Sequence, residues 1–268
     1  MTLNPQNFEL IKFPTKKFLM VNYKSIKLSP GLYFVSTPIG SARDITLRAL
    51  DILANADVLA AEDTRTLKKL LEIHEIPMKN RILISYHDHN GSKARPKLLA
   101  HLEQGKSIAY TSEAGTPLIA DPGFSLLTGV ISAENNVISA PGPCALIAAL
   151  TVGGLPTDRF SFEGFLPNNK SQRELKFRQL QSYRGTLIFY ESAKRLKDTL
   201  VKALEIFGET RQAVVCREIT KKFEDIKRGN LKELSAFYSD KNVKGEIVLL
   251  IAGAVDSDTD QSKIEQYV

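Results

Sequence analysis

The chain has 268 residues, of which 43% are hydrophobic and 25% are charged, so it can bury a large core and is neither a low-complexity nor a collagen-like chain. Two cysteines exclude a disulfide framework and favour a reduced cytoplasmic setting without a structural metal site. The net charge of +6 suits a polyanionic partner such as RNA, DNA or a membrane surface, and no stretch approaches the length of a membrane span.

Strands and helices are predicted to alternate from residue 31 onward. Residues 32–36 form a short apolar run that indicates a buried strand, and Asp44 then stands at the expected N-cap of a helix with leucines at helical spacing. RILISYH, KSIAYTSEAG and NVISAPGP continue the pattern, each followed by a helical segment. This alternation predicts an α/β fold with a parallel, doubly wound sheet.

The pattern restarts after GLPTDRF, with longer strands and hairpin-like connections that predict a mixed sheet. We therefore expect two α/β domains, over residues 31–154 and 155–256, the second carrying basic segments that face the substrate. Residues 1–30 are rich in lysine and are expected to be a poorly ordered extension, with an RNA-binding arm as the alternative. A polar tail is expected over residues 257–268.

Five loops fall at the carboxyl ends of predicted strands, where open α/β sheets bind their ligands: TPIG, AEDTR, YHDHN, SEAGTP and PGPC. The chain has no P-loop and no GxGxxG fingerprint. Gly115 beside Ala114 leaves little side-chain bulk, and Cys144 with Ala145 would admit an adenine or an aliphatic chain. Spacing alone is equally consistent with two tight turns.

The charged residues of these loops allow two interpretations. Asp63 could cap a helix and pair with Arg65 at the surface, or it could point a carboxylate into the cleft. Glu191, at the end of a strand in the second half, could face the same cleft. His87 could act as a base or contact substrate, whereas a metal site shared with His89 would need further ligands that the sequence does not supply.

Two basic stripes lie in the second half. A solvated helix face is the ordinary explanation of one stripe, but two stripes beside a cleft favour contacts with phosphates. The stripes comprise Lys170, Arg173, Lys176, Arg178 and Arg184, and then Lys221, Lys222, Lys227, Arg228 and Lys232.

Nine segments occur in the order found in a known family: LYFVSTPIG with DITLRAL, AEDTR, SYHDHN, EAGTPLIADPG, PGPCAL, GLPTDRFSFEGFLP, TLIFYESAKRL, REITKKFED and KGEIVLLI. From residue 31 to residue 253 the chain resembles the bacterial 16S rRNA (cytidine-2′-O)-methyltransferases of the tetrapyrrole methylase superfamily. The resemblance implies two α/β domains with S-adenosylmethionine bound between them, and a homodimer. It also implies methyl transfer to the ribose 2′-hydroxyl of a cytidine in small-subunit rRNA.

The resemblance also implies cofactor contacts, which are expected from Pro38, Ala114, Gly115, Thr116, Ile119, Cys144, Ala145, Glu191 and Glu246. The basic stripes, and the added charge of Arg43 at the cleft mouth, lead us to expect RNA contacts from Arg43, Lys170, Arg173, Lys176, Lys221 and Lys222. For the proton of the ribose hydroxyl, our hypothesis is that Asp63 or His87 removes it, with Arg65 orienting phosphate or ribose.

The chain departs from the family pattern at three places. Ser41, Ala42 and Arg43 replace Asn-Leu-Gly, Glu113 replaces Asp, and Cys144 replaces Ser. Two other functions remain open. One is a tetrapyrrole (precorrin-type) methyltransferase with the same fold and cofactor, and the other is a non-catalytic, RNA-binding ribosome assembly factor.

Overall fold

The computed structural model describes residues 22–254. The first 21 residues of the expected extension and the whole of the expected tail lie outside the described residues. Within residues 22–254, none of the helices combines the length and the apolar character needed to cross a membrane.

The first half forms a five-stranded sheet in the order β3-β2-β4-β1-β5, in which all neighbouring strands are parallel. This architecture confirms the predicted parallel sheet. Its elements are β1 (Gly31–Val35), α1 (Leu47–Asn55), β2 (Val58–Ala61), α2 (Thr64–Ile73), β3 (Ile82–Ser85), α3 (Gly91–Glu103), β4 (Ser107–Thr111), α4 (Phe124–Ser132) and β5 (Val137–Ala140).

Helices cover both faces of this sheet, because successive strand side chains point to opposite sides. One core cluster joins Leu50 and Leu71, from α1 and α2, to Leu59 of β2. The opposite cluster contains Leu98 of α3 and Leu126 of α4.

Helix α1 begins later than the sequence indicates. Its N-cap is Thr46, whose Oγ1 accepts a hydrogen bond of 3.1 Å from the backbone N–H of Ala49. The expectation that Asp44 caps this helix is wrong. Both residue types cap helices well, and Thr46 has the extended backbone of an N-cap directly before the first helical residue.

The second half forms a mixed five-stranded sheet in the order β6-β7-β10-β8-β9, as predicted. Strands β6 and β7 are parallel, and the other neighbours are antiparallel. The elements are α5 (Ala145–Gly153), β6 (Phe160–Phe165), α6 (Lys170–Leu180), β7 (Thr186–Ser192), α7 (Leu196–Phe207), β8 (Gln212–Arg217), β9 (Asp225–Asn230), α8 (Leu231–Tyr238) and β10 (Glu246–Ile251).

Helix α5 follows the last strand of the first sheet but packs against the second sheet. Its Leu146, Ala149 and Leu150 share a core cluster with Val214 of β8 and Leu250 of β10. The chain therefore crosses from the first sheet to the second between β5 and α5. The domain boundary near residue 154 stays a prediction.

Candidate active site

A cavity of about 780 Å³ lies between the two sheets, a size typical of sites for cofactors and small ligands. Its wall is formed mainly by the loop after β4, the start of α5, the end of β7 and the start of β10, with further residues from the loop after β1 and the ends of β6 and β8. The loop after β4 follows the carboxyl end of a parallel strand, where such sheets bind ligands.

The loop after β4 is fastened to the loop after β1 by its backbone. Gly115 and Thr37 exchange two hydrogen bonds, of 2.9 and 3.1 Å. Gly115 has a φ of +83°, and a Cβ at this position would lie 3.2 Å from Cγ2 of Ile39. Leu118 and Ala120 also have positive φ values, of 75° and 61°. The loop is therefore a tightly turned backbone surface rather than two simple turns.

Thr116 joins three strand-end loops through its hydroxyl group. Its Oγ1 donates to the carbonyl of Pro143 at 2.9 Å and accepts from Oγ of Ser36 at 3.1 Å. Because this hydroxyl already has two protein partners, Thr116 supports the cavity wall and offers a ligand mainly its backbone.

The cavity brings together eight of the nine residues for which cofactor contacts are expected. They are Ala114, Gly115, Thr116, Ile119, Cys144, Ala145, Glu191 and Glu246. The ninth, Pro38, lines a neighbouring cavity of about 150 Å³ that shares Glu113 with the larger one. The individual contacts stay predictions, but the loops SEAGTP and PGPC contribute to the wall of one cavity.

The carboxylate of Glu191 is enclosed by protein partners. Its Oε1 pairs with the guanidinium of Arg195 at 2.6 Å and accepts from the backbone N–H of Ser192 at 2.7 Å. Its Oε2 accepts from Thr199 Oγ1 at 2.6 Å, and Glu191 is 2% exposed. Glu191 therefore lines the cavity with its acceptor capacity largely used inside the fold.

Glu246 stands on the neighbouring strand, opposite Ser192, in a different setting, since its side chain is 80% exposed. Lys221 bridges it to Glu218, with N–O distances of 2.7 and 3.0 Å. Lys221, for which an RNA contact is expected, thus lies at the cavity rim with its ammonium group already paired.

Asp121 is a cavity residue that sequence reasoning did not assign to the site. Burial, together with the nearby carboxylates of Glu62 and Glu113, raises the pKa of its carboxyl group to about 6. A carboxylate with such a pKa is suited to proton transfer near neutral pH. In the sequence, Asp121 stands in ADPG, which reads as an ordinary turn.

A cluster of three aromatic side chains at the cavity was also not predicted from the sequence. Phe162, Phe165 and Tyr190 pack edge to face, and the last two line the cavity. The hydroxyl of Tyr190 accepts a hydrogen bond of 3.3 Å from the backbone N–H of Leu146, and burial raises its pKa. The FEGF segment contains a glycine between aromatic residues, and that glycine was the available sequence signal.

Asp63 is the N-cap of α2 and pairs with Arg65, as one of the two interpretations holds. It accepts from the Arg65 backbone N–H at 2.8 Å and from Nη2 at 2.6 Å. The hydrogen bonds from Arg65 lower the Asp63 pKa to about 2, which makes this carboxylate a weak base. Neither residue lines the cavity.

His87 lies in the loop after β3 and is likewise outside the cavity wall. Its backbone N–H donates to Oδ1 of Asn90 at 2.9 Å, and its Nδ1 is buried without a hydrogen-bond partner among the described residues. The ring of His89 is 6.0 Å away. In residues 22–254, no group of three or more His, Cys, Asp or Glu residues could hold a metal ion.

The six residues for which RNA contacts are expected occupy different environments. Arg43, Lys170 and Lys222 are exposed. Lys176 pairs with Glu163 at 2.5 Å. Arg173 is only 3% exposed, and its Nη1 lies 3.4 Å from Thr199 Oγ1. The structure therefore places Arg173 in the interior and not on the expected RNA-facing surface, because its helix turns that position towards α7.

Comparison with known proteins places this geometry in a family. The family model of Tetrapyrrole (Corrin/Porphyrin) Methylases matches residues 31–235. The ribosomal RNA small subunit methyltransferase I of Mesorhizobium japonicum is 46% identical over 228 residues, which cover 85% of this chain and 76% of that protein. The protein of the same name from Escherichia coli O157:H7 is 45% identical, over 87% of this chain and 82% of the relative.

A solved structure shares the fold at low sequence identity. The uroporphyrin-III C-methyltransferase of Thermus thermophilus, complexed with S-adenyl homocysteine, matches with a TM-score of 0.57 and 17% identity, over 83% of this chain and 97% of that one. The chain belongs to the tetrapyrrole methylase family and, within it, to the ribosomal RNA small subunit methyltransferase I group.

Proposed function

We propose that the chain transfers a methyl group from S-adenosylmethionine to the ribose 2′-hydroxyl of a cytidine in the 16S rRNA of the small ribosomal subunit. The observation that carries the proposal is the cavity, in which eight of the expected cofactor positions meet. Relatives at 45–46% identity, named small-subunit rRNA methyltransferases, favour this substrate over a tetrapyrrole.

The residues of the cavity fit S-adenosylmethionine. The glycine at position 115 keeps the wall open where a Cβ would approach Ile39, so a ligand can meet the backbone directly. Ile119 and Val248 provide apolar surface for an adenine, and Asp121 provides negative charge for the cationic parts of the cofactor. When bound, the cofactor supplies an electrophilic methyl group.

The chain's own task is to position the ribose hydroxyl in line with that methyl group and to accept its proton. Asp121 is the first candidate for the acceptor, because it lines the cavity and has a pKa of about 6. His87 and Asp63 remain the candidates that the sequence suggests, with Arg65 orienting phosphate or ribose. Comparing turnover of Asp121→Asn, His87→Ala and Asp63→Asn at equal cofactor binding identifies the base.

The direct test uses small subunits purified from cells that lack this gene. Incubation with the protein and S-adenosylmethionine should add one 2′-O-methyl group at a cytidine of 16S rRNA, located by mass spectrometry of RNA fragments. Subunits that gain no ribose methylation would contradict the proposal. RNA binding without methyl transfer would instead support an assembly factor, and methylation of a uroporphyrinogen would support a tetrapyrrole enzyme.

We also propose that the chain works in the cytoplasm, where ribosomal subunits are found, as a homodimer. The homodimer is supported by the family resemblance. Light scattering of the purified protein measures whether one or two chain masses are present, and a single chain mass at micromolar concentration would contradict it.

A further inference from the structure

Two aromatic side chains of β6 face the same ring although their spacing should separate them. Phe162 and Phe165 are three residues apart, and in a regular strand they would point to opposite faces. The register of β6 against β7 shifts between them, and Gly164 inside this bulge has a φ of +68°. Both rings therefore pack edge-on against Tyr190, at centroid distances of 4.8 and 5.5 Å.

The bulge brings Phe165 to the cavity without burying it. Phe165 is 60% exposed, whereas Phe162 and Tyr190 are partly buried in the cluster beneath. An aromatic ring with most of its surface in water adds little to the hydrophobic core. Bulges that redirect a side chain are common beside active sites. The position of Phe165 therefore indicates that its ring contacts a ligand.

The surroundings of this ring are those of a nucleotide site. Lys194 and Lys244 line the same cavity, and both are exposed. A nucleotide that leaves the stack of neighbouring bases so that its ribose can enter this cavity loses stacking energy. Aromatic rings replace it, while lysines meet the adjoining phosphates.

We propose that Phe165, held by Tyr190 and the Gly164 bulge, is the platform on which the base of the target nucleotide stacks during methyl transfer. The inference rests on the proposed function, because it assigns the base-binding element of the same site. Phe165 thus contacts the substrate rather than the cofactor.

The test compares substitutions that separate stacking from simple apolar contact. Phe165→Leu keeps an apolar side chain without an aromatic face, Phe165→Trp keeps an aromatic face, and Phe165→Ala removes both. Phe124→Ala is the matched control, since Phe124 is 72% exposed on α4 and is outside the cavity wall. Initial rates are measured against the concentration of small subunits from cells lacking the gene, and calorimetry gives the dissociation constant for S-adenosylmethionine.

We expect Phe165→Ala and Phe165→Leu to lower kcat/KM for the subunits by about 5- to 150-fold, the range for losing one base–aromatic stack. Phe165→Trp and Phe124→Ala should stay within about threefold of the unsubstituted protein. Cofactor affinity should not change in any of the four, and the melting temperature should fall by at most a few degrees, because Phe165 is 60% exposed and loses only its edge contact with Tyr190.

Two results would overturn the inference while leaving the proposed function intact. One is a Phe165→Leu protein with unchanged kcat/KM, and the other is a loss of cofactor affinity in Phe165→Ala that accounts for the fall in rate. If the unsubstituted protein transfers no methyl group to the subunits, the proposed function itself fails.

Discussion

The enclosed carboxylate of Glu191 yields a prediction that separates a structural role from a cofactor contact. Glu191→Gln keeps the size of the side chain but removes the charge that Arg195 contacts at 2.6 Å. The amide oxygen can still accept from Thr199. The guanidinium of Arg195, whose side chain is 22% exposed, is left without its counter-charge.

Removing one partner of a buried ion pair costs about 3–5 kcal/mol. Arg195 keeps hydrogen bonds to Leu166 O at 3.0 Å and Ser192 Oγ at 3.2 Å, and it retains some access to water. We therefore expect the free energy of unfolding to fall by about 2–4 kcal/mol. For a chain of this size, that corresponds to a melting temperature lower by roughly 4–16 °C.

The assay is urea and thermal unfolding, followed by circular dichroism without S-adenosylmethionine. Glu246→Gln is the matched control, because that carboxylate also pairs with a cation at 2.7 Å but is 80% exposed. The Glu246→Gln substitution should lower the free energy of unfolding by less than about 1 kcal/mol. The reasoning is refuted if Glu191→Gln unfolds like the unsubstituted protein and loses cofactor binding, since Glu191 would then face the ligand rather than the fold.

Three further predictions follow from the cavity and its rim. Gly115→Ala should weaken S-adenosylmethionine binding tenfold or more in calorimetry, because φ is +83° and Ile39 lies 3.2 Å from the new Cβ; unchanged affinity would contradict the assigned wall. Burial raises the pKa of the Asp121 carboxyl group from 3.8 to about 6, so the native state binds the carboxyl proton more tightly than the unfolded chain does. The charged carboxylate therefore destabilises the fold above pH 6. Asp121→Asn should therefore raise the urea midpoint more at pH 8 than at pH 5, and an equal gain at both pH values would count against the raised pKa. Arg173→Ala should lower the free energy of unfolding by roughly 2–4 kcal/mol, whereas Lys222→Ala should leave it unchanged and reduce the salt dependence of RNA binding by about one unit of log–log slope. If Arg173→Ala instead reduced the salt dependence of RNA binding in filter assays without changing the free energy of unfolding, Arg173 would be the RNA contact.

Much of the cavity wall could be predicted because local signals and a topological rule agree. The strand-end loops at Gly115 and Cys144 carry small residues, and parallel strands bring their carboxyl ends to one edge of a sheet. No knowledge of side-chain packing is needed for that step. The mixed second sheet follows in the same way from strand length and connection type.

The positions of individual side chains could not be predicted without the tertiary structure. Arg173 belongs to a basic stripe in the sequence, yet it shares a helix face with the fully buried Phe177 four residues later. Phe165 points into the cavity only because the Gly164 bulge shifts the strand by one residue. The pKa of Asp121 depends on burial and on Glu62 and Glu113, which no local pattern reveals.

The packing of α5 also determines how the cavity can change shape. Gly153 of α5 lies so close to Leu250 that a Cβ there would come within 2.4 Å of its Cδ1, so this helix moves with the second sheet. Gly115 belongs to the first sheet, and the Pro141–Gly142–Pro143 segment is the short link between the two walls. The hydroxyl of Thr116 donates to the carbonyl of Pro143 at 2.9 Å, so the two walls are fastened to each other at this link. A change in the angle between the two halves must therefore pivot near Pro143, and a ligand that contacts both walls favours one value of that angle.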